Sequence, residues 1–386
     1  MINLMGTELS ALPDYINPRT GITWPVDTPR WCAEDDGGYV NLIPGEGLVP
    51  SDINQDVTSL WRYAKAIRLP KMTYFSMGEG WTPLVPSTWQ GREILMKMDF
   101  LMPSGSYKDR GVAVMLNYLK QTCVTEILED SSGNAGSSVA TYGAFMGFDS
   151  RIFVPANAPE AKQKQMAVLG ADVIAVAGTR DDVAAAAYAE TETRFYAGHN
   201  LQPYFLEGTK TLAFEIWEQC GFDVPDAIVT PMGQGGNVIG CHIGFNELVC
   251  AGAIDRIPRI YGIQAENAAP YYAAWASGSN VPVDIDAKPT IADGIASSKP
   301  VRLAEVLAAV RETKGGLIAV SEEEICDALH LLAEGGFFVE PTTAAGAAGL
   351  TRLMVDGLIS ADDRVVLVLT GSGLKAVDNI AKALHV

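Results

Sequence analysis

From about residue 75 onward, short apolar runs alternate with longer segments whose apolar positions recur at helical spacing. EILMKMDF (93–100), TEILED (125–130), SRIFVPA (150–156) and DVIAVA (172–177) read as strands. Between and after them, KDRGVAVMLNYLKQT (108–122), SSVATYGAFMG (137–147), EAKQKQMAVLG (160–170) and the alanine-rich DDVAAAAYAETETRF (181–195) read as helices. The alternation resumes with helix TLAFEIWEQCG (211–221), strand DAIVTPM (226–232), helix NVIGCHIGFNELVCAG (237–252) and strand RIYGIQA (259–265). Residues 267–300 carry no clear period and are expected to be irregular. A helix at 321–336 opens on Ser321, with Glu324 completing a capping box, and RVVLVLT (364–370) is a last buried strand. Continuous apolar strands separated by helices predict an α/β protein with parallel sheets covered on both faces. The length suits two such domains with a cleft between them, and ligands of these sheets bind outside the carboxyl ends of the strands.

Charge narrows the function classes. The 386 residues carry 28 basic and 46 acidic side chains, a formal net charge of -18. With no Lys/Arg-rich run, the chain lacks the electrostatic footprint of a nucleic-acid or anionic-membrane binder. The six cysteines are irregularly spaced and contain no C-x-x-C pair, which points to reduced thiols in a cytoplasmic protein and gives no metal site. The first 60 residues hold Glu8, Asp14, Asp27, Glu34, Asp35, Asp36, Glu46, Asp52 and Asp56 against Arg19 and Arg30, with little periodicity. They read as an extended arm over the body or a neighbouring subunit.

The chemistry is expected in four loops. In Pro103–Gly111 a lysine, Lys108, stands in a small-residue turn at a helix start, where the dipole and partial burial favour the neutral amine that Schiff-base chemistry needs. An ordinary solvated lysine would look the same. Met232-Gly233-Gln234-Gly235-Gly236-Asn237 follows an apolar strand and opens a helix, a backbone cradle suited to a phosphate or a tight connection. The dinucleotide fingerprint would need glycine at Val238, and no Walker pattern is present, so a single phosphate is the better match. Leu369–Lys375 places the hydroxyl of Thr370 at the end of a strand, where it would meet a ring nitrogen or cap the turn. Ser131–Gly136 offers an amide side chain and backbone donors at a helix start, for a carboxylate or a cap.

Together SGSYKDRG (104–111), SSGNAGSS (131–138), PMGQGGN (231–237) and LTGSGLK (369–375) resemble the lysine, asparagine, phosphate and ring-nitrogen loops of pyridoxal-phosphate enzymes of fold type II, most closely the threonine synthases. LWRYAKAIRL, MGEGWTPLVP, GTKTLAFEIWEQ, QAENAAP, TIADGIA and FFVEPTTAAGAAGL extend the resemblance over about residues 60–375. It implies a two-domain fold of parallel-rich sheets flanked by helices, with the active site between an arm-bearing large domain (arm 1–75; body 76–114 and 206–386) and a smaller α/β domain (115–205).

The resemblance also implies site roles. Lys108 would bind pyridoxal 5'-phosphate covalently and, once released, move the substrate's α-proton. Asn134 would bond the cofactor's 3-hydroxyl, Gly233, Gln234, Gly235, Gly236 and Asn237 its phosphate, and Thr370 its ring nitrogen. Ser131, Ser132, Gly133 and Ala135 would line the pocket for the substrate carboxylate, and Glu340 would lie near the ring or hold the adjacent turn. The implied activity is a lyase on a small amino acid, converting O-phosphohomoserine to threonine and phosphate. An ammonia-lyase acting on a β-hydroxy amino acid and a non-catalytic binding protein are the alternatives. A cytoplasmic homodimer is the implied assembly. The chain departs from the common threonine synthase pattern at Ala135, Ser372 and Ala376, and TIADGIA is reminiscent of the dehydratase branch.

Overall fold

The computed structural model describes residues 2–3, 12–71, 73–156, 158, 160–297 and 299–386, so Glu8 of the acidic segment lies outside the described residues. The chain divides into two compact units, one of Met1–Glu46, Asp52–Gly80 and Lys108–Thr209, the other of Gly47–Ser51, Trp81–Tyr107 and Lys210–Val386.

The first unit holds a four-stranded parallel sheet in the order Asp172–Val176, Asp149–Pro155, Glu126–Glu129, Phe195–Tyr196. Ile127, Leu128, Ile152 and Val154 in its middle strands are fully buried, as their continuous apolar runs require. The helix Lys108–Gln121 buries every residue from Asp109 to Leu119. It packs on the helix Pro203–Thr209 at close range, because Gly111 and Gly208 leave room: a Cβ on Gly111 would overlap the Phe205 ring, and one on Gly208 the carbonyl of Arg110. The helix expected to run to 195 ends at Tyr188 after a capping box between Thr179 and Asp182.

The acidic amino-terminal segment is not an extended arm over its described part. Residues Asp14–Ile16 pair with Thr23–Pro25 and Asn41–Leu42 in a small antiparallel sheet. Tyr15 is fully buried there, and its hydroxyl donates 2.7 Å to that of Tyr118, which donates 2.8 Å to the carbonyl of Val26. Strands of two or three residues show no detectable period, and so the sequence pattern did not reveal them.

The second unit is a six-stranded sheet in the order Gly316–Val320, Arg259–Ala265, Ala227–Pro231, Val365–Val368, Arg92–Lys97, Leu84–Trp89. All pairs are parallel except the last, a hairpin at the edge. The helix Glu322–Glu334 starts as expected, with the Ser321 side chain accepting from Glu324 N and the Glu324 carboxylate accepting from Ser321 N. The segment 267–300 is largely irregular but includes a short helix, Pro270–Ala276. Both sheets are parallel-rich and flanked by helices, in line with the expectation. Among the described residues no helix is long and apolar enough to cross a membrane.

Candidate active site

Three neighbouring parallel strands of the six-stranded sheet send their carboxyl ends to one edge, the position where such sheets bind ligands. Ala227–Pro231 runs into the glycine cradle, Val365–Val368 into the Thr370 loop, and Arg92–Lys97 into the segment that ends at Lys108.

The cradle is fixed by its glycines. Gly235 caps the helix Gly236–Cys250 with a left-handed φ of 86°, and a Cβ there would overlap Val306. The first N–H groups of this helix have no partner within it and carry its positive dipole end, which together define an anion site. Asn237 is buried, donates 3.3 Å to the Thr230 hydroxyl, and leaves Oδ1 without a hydrogen-bond partner in the protein. The Gln234 side chain faces a different task. Its Nε2 donates to Ser297 Oγ at 2.6 Å and to the Lys299 carbonyl at 2.9 Å, while its Oε1 accepts from the Tyr271 hydroxyl at 2.7 Å and Val301 N at 3.0 Å. Only the backbone of Gln234 remains for an anion. Gly235→Ala is expected to cost about 1–2 kcal/mol from the left-handed backbone alone; a lower urea midpoint for the full-length protein checks this, and an unchanged midpoint contradicts it.

The Thr370 loop and the lysine segment are stitched together. Tyr107 N donates 2.9 Å to the Thr370 carbonyl, Ser372 N donates 2.9 Å to the Gly105 carbonyl, and Lys375 Nζ donates 2.8 Å to the Ser104 carbonyl. The residue just before Lys108 is thus tied to the residue proposed to meet the ring nitrogen. Thr370 is buried, its hydroxyl 3.0 Å from that of Thr343, and Thr343 Oγ1 accepts from Gly371 N at 2.9 Å. Thr343 is a supporting residue that the sequence reading did not identify. Glu340 is buried beside this turn. Its N–H donates 3.1 Å to the Gly371 carbonyl, and its carboxylate fills the space a Cβ on Gly371 would take, so it holds the turn. Ser106 Oγ is fully buried and has no hydrogen-bond partner in the protein, leaving a donor and acceptor for a bound group.

In the first unit, Lys108 opens its helix half-buried, with Nζ 5.4 Å from the centre of the Phe205 ring. The Ser131–Asn134 loop leads into the helix Asn134–Met146, whose cap is Gly133. Ser131, Ser132, Gly133 and Asn134 are half-buried and Ala135 is buried. Gly136 must be glycine, since a Cβ would overlap the Ser131 carbonyl. Directly before this loop, at the end of a central strand, stand two buried acids that the sequence reading also missed. Glu129 accepts from His199 N at 3.3 Å and lies 3.2 Å from His199 Nδ1; Asp130 accepts from the Tyr196 hydroxyl at 2.9 Å and pairs with Arg180 at 2.8 Å. Burial, reinforced by the charge of Asp130, pushes the Glu129 carboxyl well above its usual range, and burial holds His199 well below its own. Two successive acids closing an apolar strand are the signal that could have found them.

Residues 75–371 match the family of pyridoxal-phosphate dependent enzymes, and the chain belongs to that family. It is a pyridoxal-phosphate enzyme with the parallel-rich architecture of fold type II. The chain is 32% identical over 379 residues to the threonine synthase of Methanocaldococcus jannaschii, covering 95% of this chain and 93% of that protein. It is 34% identical over 355 residues to the threonine synthase of Methanosarcina acetivorans, covering 89% and 87%. Among solved structures, the threonine deaminase of T.th. superimposes with a TM-score of 0.62 at 25% identity, over 75% of this chain and 92% of that one. A fungal L-serine ammonia-lyase from Rhizomucor miehei shares the fold with a TM-score of 0.69 at 22% identity, over 78% and 96%. The residues present suit the cofactor: a glycine cradle at a helix start for a phosphate, a buried hydroxyl at the end of the neighbouring strand, an orphaned Ser106 hydroxyl, and a lysine that directly follows the residue tied to that hydroxyl's loop.

Proposed function

We propose that the protein is a threonine synthase, releasing phosphate from O-phosphohomoserine and adding water to give threonine. The observation that carries this reading is the match to threonine synthases over nearly the whole of both chains, at 95% and 93% coverage. In this reading the backbone from Gly233 to Asn237 holds the cofactor phosphate, Asn134 bonds the 3-hydroxyl, and Thr370, kept in place by Thr343, meets the ring nitrogen. Pyridoxal phosphate, when bound, supplies an electron sink for negative charge at the substrate's α-carbon. A hydroxyl partner does not enforce a protonated ring as a carboxylate would, which suits elimination and replacement over transamination. Ser131, Ser132, Gly133 and Ala135 bind the substrate carboxylate at the helix start. Lys108 takes the α-proton onto Nζ and returns a proton later in the reaction.

The second reading, an ammonia-lyase on a β-hydroxy amino acid, is favoured by the likeness to threonine deaminase and by the TIADGIA segment. One panel separates them. Purified holoenzyme given O-phosphohomoserine should release phosphate and form threonine stoichiometrically, with little 2-oxo acid from serine or threonine. Oxo-acid release without phosphate release would replace the first reading by the second. We also propose a cytoplasmic homodimer, whose assembly light scattering of the purified protein tests.

A further inference from the structure

Within the second unit, the side chain of Gln234 reaches from the glycine cradle to the segment between Thr290 and Val301. Its Nε2 donates to Ser297 Oγ and to the Lys299 carbonyl, and its Oε1 accepts from Val301 N and from the Tyr271 hydroxyl. That hydroxyl also lies 3.3 Å from the Gln234 carbonyl oxygen, so one fully buried tyrosine holds both the side chain and the backbone of Gln234. Burial pushes the Tyr271 phenol up, which keeps it a donor.

The segment has a single turn of its own, Asp293–Ile295. Two more side chains hold its backbone: Ile291 N donates 2.8 Å to Glu322 Oε2, and Gly294 N donates 3.0 Å to Thr342 Oγ1. Ala292 and Ile295 are buried, whereas Asp293, Gly294, Ala296 and Lys299 are exposed. The segment lies directly on the cradle, since a Cβ on Gly233 would stand 3.4 Å from the Gly294 carbonyl oxygen and from Ile295 Cα. Thr342, its other anchor, precedes Thr343, whose hydroxyl is 3.0 Å from that of Thr370. One segment thus touches the cradle at one point and the helix start that supports Thr370 at another.

We propose that Gln234 is a positioning residue that couples the cradle to this segment, so that a phosphate in the cradle and closure of residues 290–301 stabilise each other. The proposal rests on the reading that the cradle holds the cofactor's phosphate. Gln234 stands between two glycines, and glycine backbone fixes no direction for the N–H groups that would meet an anion. The side-chain clamp supplies that direction from outside. In return, a segment held mainly by side-chain bonds opens at low cost, and one of its anchors belongs to the loop that an anion would order. Whatever factor closure contributes to phosphate affinity, the phosphate contributes the same factor to closure.

The test reads the segment without turnover. Hydrogen exchange of the full-length protein is followed by mass spectrometry on peptides spanning 290–302, where the amides of Ile291, Gly294 and Val301 report on the three anchors. Pyridoxal phosphate added to stripped wild-type protein should slow these amides about tenfold or more, whereas pyridoxal, which lacks the phosphate, should leave them within about twofold. Gln234→Leu should exchange rapidly with or without cofactor, and its Kd for pyridoxal phosphate, read by fluorescence titration, should rise about tenfold. Gln234→Glu, which keeps the acceptor for Tyr271 and Val301 but loses the donor to the Lys299 carbonyl, should fall between the two. Equal protection by pyridoxal and pyridoxal phosphate overturns the proposal. So does a Gln234→Leu protein that is less heat-stable yet keeps the wild-type Kd and protection, which would leave Gln234 a purely structural residue. If Gln234→Leu does not fold, Tyr271→Phe, which removes one bond of the clamp and keeps the ring, carries the same comparison. Failure of the underlying reading looks different: the wild-type protein would then bind no pyridoxal phosphate, and the proposal would fall with it.

Discussion

Lys108→Ala is expected to lower kcat by about 10⁴-fold, because in the function proposed above one side chain supplies both the covalent hold on the cofactor and the base for the α-proton. Folding should survive the change. Alanine is the best helix former, so the helix that Lys108 opens accepts it. Lys108 is only half-buried, so the cavity left is open to solvent. The decisive pattern is a thermal midpoint close to that of cofactor-stripped wild type together with loss of activity and of borohydride-fixable pyridoxal phosphate. A variant that keeps a rate within about tenfold of wild type would remove Lys108 from the centre of the reaction.

The second large effect is on stability. Lys97 and Glu215 form a fully buried ion pair at 2.8 Å. Lys97 Nζ also donates to the Thr82 carbonyl at 2.6 Å and to Gln219 at 2.8 Å, and Glu215 accepts from Trp81 N at 2.7 Å. Lys97→Met strands the carboxylate in the interior and is expected to cost about 3–5 kcal/mol. Lys97→Met/Glu215→Leu should recover more than half of that loss, since two apolar side chains leave no buried charge. Urea unfolding of the three proteins checks this, and a double variant less stable than either single change would contradict it. The pair joins the strand Arg92–Lys97 to the helix Thr211–Gln219, so its loss acts on the sheet that presents the cradle.

Local signals carried much of the reading. The Ser321–Glu324 capping box, the strand into the cradle and the four loops were legible because each is encoded within about ten consecutive residues. The helix Pro341–Val355 was not read as one, since residues 341–350 are buried all round and a helix buried on every side has no polar face to set a period. Glu129 and His199 lie 70 residues apart and meet only through the sheet. Thr343 was invisible as a support for Thr370 for the same reason. Gln234 shows the opposite limit: its place in the cradle was evident, but its side chain is turned to Ser297, Lys299 and Val301, partners that sequence spacing does not reveal.

The strand Val365–Val368 is the last in the chain yet sits inside the six-stranded sheet, joining Ala227–Pro231 to Arg92–Lys97. During synthesis, therefore, the edge hairpin made early has no partner strand until about 270 residues later, whereas the residues of the first unit are all available by Thr209. The large sheet can close only once Val368 has been made, and its long-range pairings make that step slow. The segments that deliver the Thr370 loop and the stitched lysine turn are joined by that same closing event, so a nascent chain acquires its cofactor-binding geometry at the end of folding.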